Sequence, residues 1–214
     1  MQGKFITIEG PDGAGKSTQA NLLSKYFQSL GFQVVLTREP GGTPLAEKIR
    51  DLLLDPENIK MKPLTEVLLY AASRAQHVGE LIYPALEAGK IVISDRFSDS
   101  SVVYQGVGRG LNKKQIQQIN SYAALGLQPD LTILLDLDPA KGLERLKCRY
   151  KGRQCLDRLE QESLDFHRRL RAGYLALAEE EPKRIKIIGA EGTIEEIHRL
   201  VRSLVQDFLH LEEV

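Results

Sequence analysis

An apolar segment followed at once by a glycine-rich loop constrains this chain more than any other feature. Residues 5–8 (FITI) have the apolar, β-branched character of a buried strand, and residues 10–17 (GPDGAGKS) fit the pattern G-x-x-x-x-G-K-[S/T] at every fixed position. An amphipathic helix is predicted directly afterwards, over Gln19–Leu30. A strand, a glycine loop and a helix in this order can cradle an anionic oligophosphate, because backbone N–H groups and the positive end of the helix dipole converge on it.

Each part of this loop has an expected task. Lys16 is expected to reach the β and γ oxygens of the oligophosphate, and the Ser17 hydroxyl is expected to bind Mg²⁺. A glycine-rich turn that happens to carry Lys-Ser would look similar, but the strand before it and the helix after it favour phosphate binding. The remaining predicted contacts of the loop with the nucleotide are made by Gly10, Gly13, Ala14, Gly15 and Thr18.

Short apolar segments alternate with longer amphipathic ones along the chain, which predicts an α/β domain whose parallel sheet has helices on both faces. Polar residues just after strands are then the candidates for function, because ligands bind at the carboxyl ends of such strands. Helix ends are predicted at Gly31, Gly89 and Gly126. The predicted strands are Phe5–Glu9, Gln33–Thr37, Ile91–Ser94, Leu131–Asp136 and Ile185–Ile188, and the further helices are Leu45–Leu54, Leu64–Leu86, Lys113–Leu125, Ala140–Lys147, Leu159–Glu180 and Ile194–Leu209.

Charge and cysteine content argue against several classes of protein. Lys+Arg and Asp+Glu both total 29 among 214 residues, so no global basic surface favours a nucleic acid or an anionic membrane as partner. No apolar run is long enough for a membrane span, and no secretory leader is recognisable. Cys148 and Cys155 lack nearby histidines and have poor metal-binding spacing, which favours free thiols in a reducing cytoplasm. We therefore expect one cytoplasmic domain over residues 1–214.

Charged residues follow the second and third predicted strands. Arg38 precedes the turn Glu-Pro-Gly-Gly-Thr, where it would either clamp a phosphate or pair with Glu39 or Asp95. After the third strand, Asp95 could hold Mg²⁺ through water and Arg96 could contact a phosphate, or the two could form a plain ion pair. Both interpretations stay open for each site.

Three further residues have the chemistry to bind a nucleobase. Tyr70 and Arg74 are four residues apart on a predicted helix, so a base could stack on the ring beside the guanidinium. Taken alone, they could equally be a core tyrosine and an unrelated surface arginine. Gln105 follows a hydroxyl-rich segment, and its amide could read a pyrimidine edge with donor and acceptor together.

A basic stretch at about residues 148–158 lies between two predicted helices and is interpreted as a lid. Phosphoryl transfer develops negative charge on the equatorial oxygens, and one well-placed arginine there can raise the rate by roughly 10³-fold or more. A solvated charge run is the alternative. The phosphate cradle elsewhere on the chain favours the lid.

Together, the glycine loop, the turn after Arg38, the Tyr70–Arg74 pair, the Asp95-Arg96-Phe97 segment and Leu156-Asp157-Arg158 resemble the thymidylate kinases over most of the chain. The resemblance implies a P-loop NTPase fold with a five-stranded parallel sheet, and MgATP-dependent phosphorylation of dTMP to dTDP on the route to dTTP. It also implies a cytoplasmic homodimer that binds dTMP and ATP.

The resemblance also assigns residues within the site. Tyr70 would stack on thymine, with Arg74 and Gln105 at the edge of the base. Arg38 and Arg96 would hold the acceptor phosphate. The other implied contacts are Tyr104 beneath the deoxyribose, Ser100 in the same substrate site, Arg145 near adenine, and Asp12 orienting the acceptor or its hydration around Mg²⁺.

One subgroup of the family carries a catalytic arginine in the phosphate loop, where this chain has Gly13, and another carries it in the lid. This chain resembles the lid type, which assigns transition-state charge neutralisation to Arg153. Arg149 is the rival, because Gln154-Cys155 departs from the commoner lid sequence.

The chemistry needs no general base. A monophosphate whose second pKa is about 6 is largely a dianion at neutral pH and can attack directly. We also expect no histidine to act as a base at the site. The histidines at 77, 167, 198 and 210 fall in helical patterns and are predicted to lie away from strand ends.

The alternatives are another nucleoside monophosphate kinase, a regulatory GTPase or a non-catalytic nucleotide-binding protein. The GTPase would need Asn-Lys-x-Asp and Asp-x-x-Gly motifs, and neither occurs in a suitable place.

Overall fold

A computed structural model describes residues 3–149 and 156–209 of this chain. Its core is a five-stranded sheet with the strand order β2-β3-β1-β4-β5, and every neighbouring pair is parallel. This confirms the predicted α/β fold. The strands are β1 Lys4–Glu9, β2 Val34–Arg38, β3 Ile91–Asp95, β4 Leu131–Asp136 and β5 Ile185–Gly189.

Helices cover both faces of the sheet. On one face, α1 and α9 bury a core that includes Phe27 and Val201 against the central strands. On the other, α8 and the helical segment after β3 bury Phe166 and Tyr174 among their neighbours. The α-helices are α1 Lys16–Ser29, α2 Pro44–Leu54, α3 Pro63–His77, α4 Tyr83–Glu87, α5 Ser98–Ser101, α6 Lys113–Ala123, α7 Pro139–Arg149, α8 Leu164–Glu180 and α9 Ile194–Leu209.

Several helices differ in extent from the predictions: α1 begins at Lys16 and not at Gln19, and α6 ends at Ala123 and not at Leu125. Two further differences have an identifiable cause. The single helix predicted over Leu64–Leu86 is interrupted by a π-helical segment, Val78–Ile82, because Pro84 has no N–H for the regular α-helical bond. The helix predicted from Leu159 begins at Leu164, where the Ser163 hydroxyl caps its first turn by accepting from the Phe166 N–H at 3.2 Å.

The segment after β3 is helical as far as Gly108, with α5 continuing into a π-helical stretch over Val102–Gly108. Gly31, Gly89 and Gly126 have φ angles of 84°, 74° and 77°, which confirms the predicted left-handed helix ends. Within the two described ranges, no helix has the length and apolar character to cross a membrane.

Candidate active site

A cavity of about 710 Å³ opens at the carboxyl ends of the strands. The phosphate loop forms one wall, and the ends of β2 and β3 with residues of α3 and of the segment after β3 form the others. Most of the residues singled out from the sequence therefore meet in one place. The predicted residues that line it are Asp12, Gly13, Ala14, Gly15, Lys16, Ser17, Thr18, Arg38, Tyr70, Arg74, Asp95, Arg96, Ser100, Tyr104, Gln105 and Arg145.

Glycine is required in the loop because the backbone packs too closely for a side chain. At Gly10, which is absent from the cavity wall, a Cβ would lie 2.3 Å from the Leu135 carbonyl oxygen. At Gly13, where φ is 77°, a Cβ would lie 2.2 Å from the Gly142 carbonyl oxygen. The chain can thus turn from β1 into α1 only with glycine at these positions.

Lys16 is buried in the loop that carries it. Its Nζ donates to the carbonyl oxygens of Gly10 at 3.0 Å and Pro11 at 2.8 Å. Burial and the nearby Arg96 lower the pKa of Lys16 to about 8, against the opposing effect of Asp12. An ammonium has three N–H donors, so one remains for an anionic ligand.

Asp12 is the partner of Arg96 across the cavity. Its carboxylate accepts from the Arg96 guanidinium and, at 2.7 Å, from the Tyr104 hydroxyl. Burial alone would raise the pKa of Asp12, but Arg96 and Lys16 outweigh burial and lower it to about 2. The Asp95–Arg96 ion pair left open by the sequence is replaced by this pairing with Asp12.

Tyr174 contacts Arg96 directly, and Glu9 contacts it through Ser100. Neither Glu9 nor Tyr174 lines the cavity, and the sequence interpretation missed both. Arg96 Nη1 donates to the Tyr174 hydroxyl at 2.9 Å and to the Ser100 hydroxyl at 3.0 Å. The buried Glu9 carboxylate accepts from Ser100 Oγ at 2.6 Å and from the Phe97 N–H at 2.7 Å. Burial, reinforced by the nearby Asp99 carboxylate, raises the pKa of Glu9 to about 7. The sequence did contain a signal for Glu9, because it is a charged residue at the end of the apolar strand β1.

Ser17 and Asp95, the two residues predicted to bind Mg²⁺, lie in contact. The Ser17 hydroxyl donates to Asp95 Oδ2 at 2.5 Å, so these oxygens lie together beside the phosphate loop. Residues 3–149 and 156–209 contain no cluster of three or more His, Cys, Asp or Glu side chains able to hold a metal ion. Sparse protein ligands fit Mg²⁺ in a nucleotide site, because substrate phosphates and water supply most of its oxygens.

Arg74 is almost wholly committed to protein contacts. It is 1% exposed, and its Nε and Nη2 atoms contact Glu39 Oε2 at 2.8 and 2.7 Å. Nη2 also donates to Ser101 Oγ at 3.2 Å, and Nη1 donates to Asn120 Oδ1 at 2.7 Å. Hydrogen bonds from Nε, Nη1 and Nη2 thus use three of the five guanidinium N–H groups, and the Nη2–Glu39 contact further restricts the group. Tyr70 lines the same part of the cavity and is half-buried.

Gln105 is fully buried beside Glu66. Its Nε2 donates to Glu66 Oε1 at 2.9 Å, and its Oε1 has no partner among the described residues. Within residues 3–149 and 156–209, the Gln105 carbonyl is thus an acceptor without a donor, and the amide nitrogen keeps one further N–H.

The arginines at the rim differ in their contacts. Arg38 is exposed and pairs at 2.9 Å with Glu47, rather than with Glu39 or Asp95 as the sequence left open. Arg145 Nη1 donates to the Ala190 carbonyl oxygen at 3.1 Å. Arg50, which the sequence interpretation missed, lines the cavity and donates to the Pro40 carbonyl oxygen at 2.8 Å.

The structure describes only part of the basic stretch at residues 148–158. Arg158 is buried, donates through Nε to the Leu53 carbonyl oxygen at 3.0 Å, and contacts Glu66 Oε2 through Nη1 at 2.6 Å. It therefore belongs to the core beneath the cavity and to no solvated charge run. Cys148 is an exposed free thiol. Arg153 and Cys155 lie outside the described residues, as does the side chain of Arg149.

The expectation that all histidines lie away from strand ends was wrong for His77. Its Nε2 is 2.7 Å from Thr37 Oγ1 in β2, and its Nδ1 is 3.1 Å from Glu39 Oε1, just after that strand. These two contacts place the last residue of α3 beside the end of β2, where it supports Glu39. No histidine of residues 3–149 and 156–209 lines the cavity, and His210 lies outside those ranges.

Comparison with known proteins decides the family. The family model described as "Thymidylate kinase" matches residues 8–201. A thymidylate kinase from Halothermothrix orenii is 52% identical over 209 residues, covering 98% of this chain and 99% of that protein. The chain belongs to the thymidylate kinase family. Another thymidylate kinase, from Lactobacillus delbrueckii subsp. bulgaricus, is 52% identical over 198 residues and 92% of each chain.

The fold agrees with this membership. The crystal structure of thymidylate kinase from Ehrlichia chaffeensis superposes with a TM-score of 0.78 at 34% identity, covering 96% of this chain and 99% of that one. The chain thus has the P-loop NTPase fold of a kinase. Thymidylate kinases phosphorylate dTMP to dTDP with ATP, and the family supports this activity over the other nucleoside monophosphate kinases and the non-catalytic alternative.

Proposed function

We propose that this chain transfers the γ-phosphoryl group of MgATP to dTMP within the single cavity described above. The observation that carries the proposal is the continuity of that cavity. It joins Lys16 and Ser17 of the phosphate loop to Tyr70 and Gln105 of the base site, with Arg96 between them. A donor triphosphate and an acceptor monophosphate bound at its two ends would meet in the middle.

On the donor side, the loop backbone and Lys16 would bind the ATP phosphates, with Arg145 near the adenine. Ser17 and Asp95 would hold Mg²⁺, directly or through water, because their oxygens lie together at 2.5 Å. When bound, this ion would neutralise charge on the donor phosphates.

On the acceptor side, Arg38 and Arg96 would bind the dTMP phosphate, with Tyr104 and Ser100 lining the deoxyribose region. The dianionic phosphate attacks without a general base, so these residues act by positioning and by charge. Asp12 stays ionised because the pKa of its carboxyl is about 2, and it would orient the acceptor or the hydration around Mg²⁺.

A lid arginine would complete the transition-state contacts. Gly13 gives the loop no side chain, so we assign this role to Arg153, with Arg149 as the alternative. We place the lid at about residues 148–158 of a single domain, with the buried side chain of Arg158 anchoring its C-terminal end to the core.

The same proposal covers the surroundings of the enzyme. We propose a cytoplasmic homodimer without nucleic acid or membrane partners. Equal numbers of acidic and basic residues support the absence of a polyanion-binding surface. Exposed Leu64 and Leu68 on α3, together with Leu52 on the adjacent α2, offer apolar surface for self-association.

A substrate panel tests the activity. Purified protein with MgATP should form ADP faster with dTMP than with AMP, GMP, CMP or UMP at equal concentration. Equal or faster turnover of any of these four would refute the assignment to dTMP.

Lys16→Ala provides the mechanistic control for this panel. The ammonium interacts most strongly with the transferring phosphoryl group, so kcat should fall by roughly 10²-fold or more, while the KM for ATP changes much less. A change confined to the KM for ATP would mean that Lys16 binds the ground state only.

A further inference from the structure

Glu66 lies beside the base site without lining the cavity, and it contacts Gln105, whose side-chain carbonyl is unpartnered in the part of the chain that the structure describes. Gln105 lines the cavity and turns its Nε2 toward Glu66 Oε1 at 2.9 Å. The Gln105 Oε1 is buried and has no hydrogen-bond partner in the described part of the chain. A buried carbonyl without a partner costs free energy unless a ligand supplies the donor.

The position of Glu66 is itself fixed by two arginines. Arg158 Nη1 lies 2.6 Å from Glu66 Oε2, and Arg109 contacts both Glu66 oxygens at 3.4 Å. Glu66 is 1% exposed, so these two guanidinium groups supply the countercharge that a buried carboxylate needs. The carboxylate cannot rotate away without leaving Arg158 uncompensated.

This fixed carboxylate determines which way the Gln105 amide faces. An ionised carboxylate offers acceptors only, whereas an amide carries donors on nitrogen and acceptors on oxygen. Rotating the Gln105 amide by half a turn would bring its Oε1 against Glu66 Oε1, two acceptors at hydrogen-bond distance with no proton between them. The amide nitrogen therefore stays with Glu66, and the carbonyl is the end of the side chain left for a donor from elsewhere.

We propose that Glu66 is a positioning residue for base selectivity: it holds the Gln105 amide so that a carbonyl acceptor meets the ring nitrogen of the bound base. This inference rests on the proposed function and deepens it. A thymine or uracil ring carries N–H at N3 and satisfies the carbonyl. A cytosine ring carries an unprotonated acceptor at the same place and leaves two buried acceptors facing each other.

Glu66→Gln tests this role, because the neutral amide can donate as well as accept and no longer dictates the orientation of Gln105. The ratio of kcat/KM for dTMP to that for dCMP should fall by about ten-fold or more. The ratio of dTMP to dUMP should stay within about two-fold, since both bases carry N3–H. A merely structural role for Glu66 would not separate these two ratios.

Two further variants show whether Glu66 acts through Gln105. In a Gln105→Ala background, Glu66→Gln should leave the dTMP to dCMP ratio unchanged, because the group it orients is gone. Glu162→Gln is the matched control: Glu162 contacts Arg109 Nη1 at 2.5 Å, and no contact joins it to Gln105. This variant should keep the wild-type ratio.

Folding is checked by circular dichroism before kinetics. Should Glu66→Gln fail to fold, Glu66→Asp decides, since it keeps the charge near the arginines but withdraws it from the amide, and it should lower the same ratio. An unchanged dTMP to dCMP ratio in the folded variant overturns the inference, and so does an equal fall in the Gln105→Ala background. A wild-type protein that does not prefer dTMP refutes the proposed function itself, so the two failures are distinguishable.

Discussion

Arg96 combines a strained backbone with contacts to four side chains. Its backbone φ is 70°, a left-handed conformation that costs a non-glycine residue roughly 1 kcal/mol or more. Contacts to Asp12, Tyr104, Tyr174 and Ser100 offset this cost and hold the guanidinium at the middle of the cavity. The guanidinium of the proposed acceptor-phosphate site is thus held in place by contacts within the protein.

Glu9 gives a pH-dependent prediction. The pKa of its carboxyl is raised from 4.5 to about 7 in the folded protein, chiefly by burial. A raised pKa means that the folded state binds the extra proton, so its stabilising contribution is complete below pH 4.5 and is lost as the pH rises through about 7. Relative to Glu9→Gln, the wild-type free energy of unfolding should therefore fall between pH 5 and 8, by on the order of 1–3 kcal/mol.

Chemical denaturation of both proteins at several pH values in that window measures this difference. Glu9→Gln retains the acceptor for the Phe97 N–H but has no titrating group. Parallel stability profiles for the two proteins would contradict the raised pKa.

Tyr70 gives a prediction on substrate binding. If its ring is the platform for thymine, Tyr70→Ala should raise the KM for dTMP by the equivalent of about 1–3 kcal/mol, with a much smaller change in kcat. Steady-state kinetics with dTMP and ATP varied in turn measures both parameters.

Tyr70→Phe is the matched control, because it keeps the ring and should leave the KM for dTMP close to the wild-type value. If Tyr70→Ala weakened ATP and dTMP equally, a general disturbance of the cavity would explain the result better than lost stacking.

The site is assembled from residues at the ends of strands and on the helices that follow them. The loop after β1 supplies Lys16, the end of β3 supplies Asp95 and Arg96, and α3 supplies Tyr70. Parallel pairing brings these ends to one edge of the sheet, although the residues are far apart in sequence.

The segment between α7 and α8 yields a prediction on transition-state charge. Arg153→Lys keeps the charge but loses the planar fork that binds two oxygens together, so kcat should fall by roughly ten-fold or more while the KM for dTMP stays nearly constant. Steady-state kinetics with saturating ATP measures this split.

Arg149→Lys is the matched substitution for Arg153→Lys and should be mild. The reverse pattern would transfer the catalytic role to Arg149, and two silent substitutions would remove it from this segment.

The exposed apolar surface on α3 gives a prediction about the oligomeric state of the protein. Leu64 and Leu68 lie one helical turn apart on α3 and are 59% and 50% exposed. If this surface forms the proposed dimer, Leu68→Glu should shift the protein from twice the monomer mass to the monomer mass in light scattering after size-exclusion chromatography. Ile59→Glu alters a similarly exposed apolar residue outside α3 and should leave the mass unchanged. A monomeric wild-type protein would contradict the proposal.

The strands, the phosphate loop and the polar residues at strand ends were predictable from the order of residues along the chain. These features depend on neighbours along the chain: β-branched runs, 3.6-residue periodicity and the spacing of glycines and Lys16. The predicted strand bounds differ from those observed by at most one residue at each end.

The polar side chains that support the site were not predictable in this way, because they meet partners that are distant in sequence. Glu9 contacts Tyr174 across 165 residues, and Gln105 contacts Glu66 across 39. Arg158 lies in the basic stretch that was interpreted as a lid, and its side chain is buried against Glu66. Charge patterns along a sequence do not say which groups folding will desolvate, because a buried charge persists only where a distant partner meets it, and that meeting is fixed by packing of the helices on the sheet.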